Sequence, residues 1–304
     1  MDYSEYHSSD EIDSALAELE NQYPDISRRV ILGYSQGNRP IWGLKISDNP
    51  AVDENEPILY IDAGIHGNEW IGVEVAFFTA TYLLENYTSD PKVQNIINQL
   101  EIWIVPMLNP DGHHLLEVQA IPEILSIQEI GRKNSFDVFN FMAGTDLNRN
   151  FDTRWGDTSD GSSHVPISIN YCGERAFSEP ETQAIRNLLI RRPPSASIHY
   201  HSYGQYIAYP GEDDPDSIYL AQEMANRIHA VNGEAYDVQH TYKSGGEKEW
   251  IYDIFSCPSF VVELRPSGTP PGYMLPQSQI EETAEENLAG SLFLMEWIEG
   301  HHPL

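Results

Sequence analysis

A chain of 304 residues, 40% of them hydrophobic, can bury a sizeable core, and its length suits one large α/β domain or two small ones. Its formal net charge is −30 and its lysines stand only at 45, 92, 133, 243 and 248, so it lacks the clustered cations that phosphate neutralisation needs; nucleic acid is not an expected partner. No apolar run approaches a membrane span, so no membrane association is expected.

In chain order, the polar, acidic start Met1-Asp2-Tyr3-Ser4-Glu5 carries no signal peptide, and no pro-segment is expected within the chain. A helix is predicted over 9–23, with Ile12, Leu16 and Leu19 on one face. Short strands at 30–32 and 41–46 flank the turn Gln36-Gly37-Asn38-Arg39-Pro40. A buried strand at 58–61 leads into a helix over 70–84, then an amphipathic helix around 93–100 and a strand at 102–106. The stretch 109–177, rich in Asp, Asn, Gly and Ser, reads as a long irregular segment. It is followed by a helix over 179–190, a strand at 196–201, a helix over 218–231, a strand at 260–264 and a closing helix over 279–298. Alternating strands and helices predict an α/β fold, a twisted, mixed but mostly parallel sheet with helices on both faces. With no composition break, linker or internal repeat, one domain over 1–304 is expected. The acidic surface suits a monomer, and two cysteines, Cys172 and Cys257, are too few for a disulfide framework. One bridge or two buried thiols both remain open.

Five segments carry chemistry. In Tyr60-Ile-Asp-Ala-Gly-Ile-His66-Gly-Asn-Glu69-Trp-Ile71, glycines bend the chain at a strand end and set an imidazole and a carboxylate three residues apart, a nitrogen-plus-oxygen pair that suits zinc. That spacing alone is weak, since His114-Leu-Leu-Glu117 repeats it. Ser195-Ala-Ser-Ile-His199-Tyr-His201-Ser-Tyr203 offers two histidines that share a strand face. Periodicity cannot choose between them, although His201 lies nearer the strand end. Three ligands with an open fourth position mark a catalytic zinc site rather than a structural one. Glu263, alone in the apolar strand Phe260-Val-Val-Glu-Leu264, is a candidate general base, because a buried carboxylate is costly unless paired or used. A salt bridge to Arg265 is the plain alternative, though strand neighbours face opposite ways. Arg132 and Arg149 stand in polar irregular segments, where a planar guanidinium can grip a carboxylate or a developing oxyanion.

With these segments in order, the chain resembles the zinc metallocarboxypeptidases of the pancreatic carboxypeptidase A/B type, the M14 family, over nearly its whole length. The resemblance rests on His66-Gly-Asn-Glu69, Asn109-Pro-Asp-Gly112, Asp146-Leu-Asn148-Arg149-Asn-Phe151, Ala176-Phe-Ser-Glu-Pro-Glu-Thr182, His201-Ser-Tyr-Gly-Gln205 and Glu263-Leu-Arg265. It implies that His66, Glu69 and His201 bind zinc, that Glu263 is the base and proton shuttle, and that Arg132 stabilises the oxyanion. Asn148 and Arg149 would clamp the terminal carboxylate of a peptide or protein substrate, and Tyr242 would close over it. Two departures stand out: Tyr242-Lys-Ser-Gly-Gly246 is one residue short before the double glycine, and Asn68 sits where pancreatic members carry arginine, which bears on remote substrate binding. The family's specificity position falls on Lys248, so release of C-terminal Glu or Asp is expected. A broad or apolar preference, action on murein or γ-glutamyl peptides, and an aspartoacylase-like deacylase are the rival readings. The resemblance also favours an extracellular or periplasmic setting.

Overall fold

The structure, a computed structural model, describes residues 2–118, 130–135, 140, 143–268 and 272–301. Its strands are β1 (Ser27–Tyr34), β2 (Pro40–Ile46), β3 (Ile58–Ala63), β4 (Glu101–Val105), β5 (Ala196–Ser202), β6 (Tyr206–Tyr209), β7 (Asp237–His240) and β8 (Ser259–Leu264), joined in one sheet in the order β1-β2-β4-β3-β5-β8-β6-β7. The centre, β4-β3-β5-β8, is parallel, while β1, β2 and β6 join their inner neighbours antiparallel. The expected mixed, mostly parallel sheet is what forms. β3 is buried along its whole length, as a central parallel strand covered on both sides must be.

The helices are α1 (Ser9–Gln22), α2 (Trp70–Asn86), α3 (Pro91–Ile97), α4 (Pro110–Val118), α5 (Pro180–Arg191), α6 (Pro215–Arg227), α7 (Glu247–Phe255) and α8 (Ile280–His301). Strand alternation divides the side chains cleanly. Leu59, Ile61 and Ala63 of β3, Ala196, Ile198 and Tyr200 of β5, and Phe260, Val262 and Leu264 of β8 join one core with α1, α2, α3, α6 and α8. The other face packs Tyr60, Trp103 and Val105 against α5, α7 and the 143–177 segment. Each fully buried Leu, Ile or Phe contributes roughly 1.5–3 kcal/mol, so the first cluster carries most of the apolar stabilisation.

Five elements differ from the sequence expectation. α4 breaks the supposedly irregular stretch: Asn109 Oδ1 accepts from Gly112 N at 2.9 Å, and Pro110 occupies the first turn, where its missing N–H costs nothing. α7 begins behind Gly246 and buries Trp250 and Ile251. β6 and β7 are four-residue strands too short to show a period. α6 also ends at Arg227 rather than at 231, because Ile228 turns extended (φ −80°, ψ 104°) and Val231 is exposed. α1 is closed by a capping box between Ser8 and Glu11. Cys172 and Cys257 are both free and buried, so no bridge forms. Among the described residues no helix is long and apolar enough to cross a membrane.

Candidate active site

The carboxyl ends of β3, β5 and β8 lie side by side, and parallel α/β sheets place their ligand crevices there. His66 and Glu69 occupy the turn from β3 into α2. Gly67 is required in that turn: a Cβ there would stand 2.3 Å from the Gly112 carbonyl carbon and His113 N, so only glycine lets α4 press against it. His201 sits one step from the end of β5, opposite Glu263 on β8.

Three of these side chains converge. His66 Nδ1 lies 2.8 Å from Glu69 Oε1 and His201 Nδ1 2.9 Å from Glu69 Oε2, all three residues being buried. One ligand atom from each falls within 4.8 Å of the others. His66 Nε2 is held by Asp146 Oδ1 at 3.0 Å, which leaves Nδ1 as the donor atom, the carboxylate–histidine arrangement found behind metal-ligating imidazoles. Burial works against charge on Glu69, but His66 and His201 outweigh it and hold its carboxyl low. Burial likewise lowers His201, and the Glu69 charge overrides it to about 9. Two imidazole nitrogens and a carboxylate fit zinc. The periodicity that left His199 and His201 equivalent is broken by depth: His199 lies further down β5, beside Asp62.

Glu263 stands free of Arg265, whose guanidinium instead binds Glu286 at 2.8 Å. Burial pushes the Glu263 carboxyl up to about 7, against the pull of His201, and Tyr206 Oη donates to its Oε1 at 3.4 Å. Arg132 binds Asp146 Oδ2 through Nη2 at 2.8 Å, with Nη1 3.4 Å from His66 Nδ1 and 3.8 Å from Glu69 Oε1. Burial opposes the Arg132 charge, but Asp146 and Glu69 more than compensate. Asp146, fully buried, therefore steadies an imidazole and a guanidinium at once; it begins the Asp-Leu-Asn-Arg segment, which is the signal that could have found it.

Asn148 and Arg149 lie in a short 3-10 turn, Leu147–Arg149. Asn148 Oδ1 accepts from Glu247 N at 2.9 Å and Nδ2 reaches 3.5 Å from His201 Nε2; Arg149 Nη1 donates to Asn148 O at 2.6 Å. Gly245 (φ +68°) sits against this turn, and a Cβ there would be 2.1 Å from Arg149 O. Lys248, in the first turn of α7, is buried; its Nζ donates to Thr241 O at 2.7 Å and pairs with Glu249 Oε1 at 2.6 Å. Burial lowers the Lys248 ammonium, with Glu249 opposing. His66, Glu69, His201, Arg132, Glu263, Asn148, Arg149 and Lys248 all line one cavity of about 450 Å³.

Two expected residues stand elsewhere. Tyr242 does not line the cavity: its hydroxyl is 2.7 Å from Thr153 Oγ1 and donates to Asp253 Oδ2 at 2.5 Å, and Arg154 covers its ring at 4.2 Å. Its neighbour Thr241 reaches the cavity instead. Asn68 is buried in the β3–α2 turn and does not line the cavity either. The second His-x-x-Glu, His114 and Glu117, is a local pair on α4 at 2.8 Å. Lining residues that the sequence did not single out include Tyr206, Tyr273 and Gln239; Lys243 lines the cavity as well.

A family model described as zinc carboxypeptidase matches residues 12–290. Carboxypeptidase O of Bos taurus is 30% identical over 309 residues, covering 97% of this chain and 79% of that protein. Carboxypeptidase A2 of Mus musculus is 31% identical over 315 residues (99% and 72%), and carboxypeptidase B2 of Homo sapiens 30% over 305 (94% and 69%). Among solved structures, thrombin-activatable fibrinolysis inhibitor superposes with a TM-score of 0.85 at 28% identity, covering 99% of this chain and 76% of that one. The carboxypeptidase A from Helicoverpa armigera gives 0.84 at 26% identity (99% and 75%).

Proposed function

The chain belongs to the zinc carboxypeptidase family and is a metallocarboxypeptidase acting on peptide C-termini, and on that premise we propose residue roles and a preference for acidic C-terminal side chains. The observation that carries the reading is the convergence of two histidines, three carboxylates and four cations on one cavity at the strand ends. His66, Glu69 and His201 hold the zinc, with His66 oriented by Asp146. When bound, zinc supplies Lewis acidity, polarising a carbonyl and easing deprotonation of a water. Glu263 takes the proton from the attacking water; its burial-raised carboxyl suits a group that must accept and release a proton near neutral pH. The same carboxyl passes the proton to the leaving amine nitrogen. Arg132, fixed on Asp146, donates to the carbonyl oxygen as it becomes an oxyanion. Asn148 and Arg149 take the free C-terminal carboxylate, the feature that makes the enzyme an exopeptidase.

The preference for Glu or Asp rests on Lys248 and Lys243, two cations facing one carboxylate, Glu249, on the same cavity wall. Glu249 and Thr241 O engage two of the three ammonium donors of Lys248, so one remains for a substrate oxygen. The test is a set of N-blocked dipeptides ending in Glu, Asp, Phe, Leu, Lys and Arg, with amidated counterparts, on wild type and Lys248→Ala. Amidation should abolish most hydrolysis, and Glu or Asp should exceed Lys or Arg by about tenfold or more, ~1.4 kcal/mol, with the margin shrinking in the variant. Equal cleavage of amidated peptides removes the carboxylate clamp. A Phe or Arg preference unchanged in Lys248→Ala removes Lys248 from specificity.

A further inference from the structure

One step below the zinc ligands on the same strand face lies a second convergent set that the proposed reaction does not use. Asp62 of β3 and His199 of β5 are register partners, and Glu247 descends on them from the first turn of α7. All three are buried, at 1%, 1% and 2% exposure. His199 Nδ1 lies 3.1 Å from both Asp62 oxygens and 3.9 Å from Glu247 Oε2, and one ligand atom from each residue falls within 4.8 Å of the others. Ligand atoms about 2.0–2.2 Å from a tetrahedral zinc stand roughly 3.3 Å apart, so the spacing suits a shared ion.

Two further observations point the same way. Glu247 Oε2 is buried and accepts from no N–H or O–H donor, although Oε1 accepts from Tyr60 Oη at 3.4 Å; the carboxyl faces Asp62, with which it shares a proton in the absence of an ion. His199 Nε2 is 2.9 Å from Ser197 Oγ and 3.3 Å from Ser259 Oγ, so those hydroxyls can take its N–H and leave Nδ1 as the lone-pair donor, much as Asp146 does for His66. Among the described residues no lysine or arginine pairs with Asp62 or Glu247. Two carboxyl groups far from solvent therefore face one imidazole, and a divalent cation would replace the proton they share.

We propose that Asp62, His199 and Glu247 form a second, buried site for a divalent metal ion, with zinc the first choice for its nitrogen-and-oxygen set. The ion ties α7 to β3 and β5. Because Glu247 N also donates to Asn148 Oδ1, it braces the wall that carries Lys248.

The test is zinc stoichiometry. Protein stripped with a chelator is titrated with zinc alone, and bound metal per chain is read by plasma mass spectrometry. Two equivalents are expected in wild type and one in Glu247→Gln, which should still hydrolyse peptides. His66→Ala should also bind one, without activity, so failure of the first site and of the second are told apart. A wild type that saturates at one equivalent, or a Glu247→Gln that still binds two, overturns the site and leaves a proton shared between the carboxylates. Should the variant fail to fold, anomalous diffraction at the zinc edge on wild-type crystals decides: a peak between the three side chains supports the site, and its absence there sinks it.

Discussion

The two faces of the sheet are built on opposite terms. On one, alternate residues of β3, β5 and β8 are apolar but for Ser202 at the end of β5, and α1, α2, α3, α6 and α8 seal them from water. On the other, the intervening residues of the same strands include Asp62, Ser197, His199, His201, Ser259 and Glu263 beside the apolar Ile58, Tyr60 and Val261. Further out on that face Glu101 binds Lys45 at 2.7 Å, Arg192 through two donors and Trp103 Nε1 at 2.6 Å. A buried charge left unpaired is costly, so every such group on this face needs a partner or a task. The apolar face makes the polar one tolerable: it supplies the stability that lets a strand carry histidines and carboxylates at alternate positions.

That division can be broken from either side. Glu263→Gln, on the polar face, should cost up to about 10⁴ in kcat/KM, the upper range for a positioned acid–base group, with zinc content unchanged. Near-normal turnover would remove Glu263 as the base. Phe77→Ala on the apolar face, where Phe77 is 1% exposed, should cost ~3–5 kcal/mol by denaturant unfolding and leave kcat/KM of the folded fraction intact. A selective loss of activity there would mean that the two faces are not separable. Arg132→Ala should lower kcat about 10²–10³-fold, and an effect confined to KM would assign Arg132 to ground-state binding.

The smallest expected effect concerns Glu181, wholly buried in the first turn of α5, where burial pushes its carboxyl up to about 7 from the usual 4.5. The folded chain then holds a proton that the unfolded chain releases above 4.5. The stabilising contribution is complete below that pH and is lost as pH rises towards 7. Across that window wild type should lose on the order of 1–3 kcal/mol relative to Glu181→Gln. A difference between the two that stays flat with pH would mean that the carboxylate is already ionised inside the fold.

How much could be read from the sequence follows the same division. The apolar strands at 58–63, 196–202 and 259–264 announce themselves, since each alternates two sets of buried side chains within one short run. The ligand candidates were legible because they stand at the ends of those strands. Depth was not: His199 and His201 are equivalent by period, and only the sheet register, with Asp62 beside one and Glu263 beside the other, tells them apart. α4 is hidden by Gly112 in its first turn and by its place at the head of a stretch rich in Asp, Asn, Gly and Ser. The place of Tyr242 outside the cavity was not legible either, because the partners that hold it there, Thr153, Arg154 and Asp253, are distant in sequence.

Asp146 has a consequence for inheritance. One of its oxygens holds His66 Nε2 and the other anchors Arg132, so under the proposed roles metal affinity and oxyanion stabilisation would hang on a single codon. A substitution at Asp146 would then disturb both together, and restoring them would require compensation at two places at once.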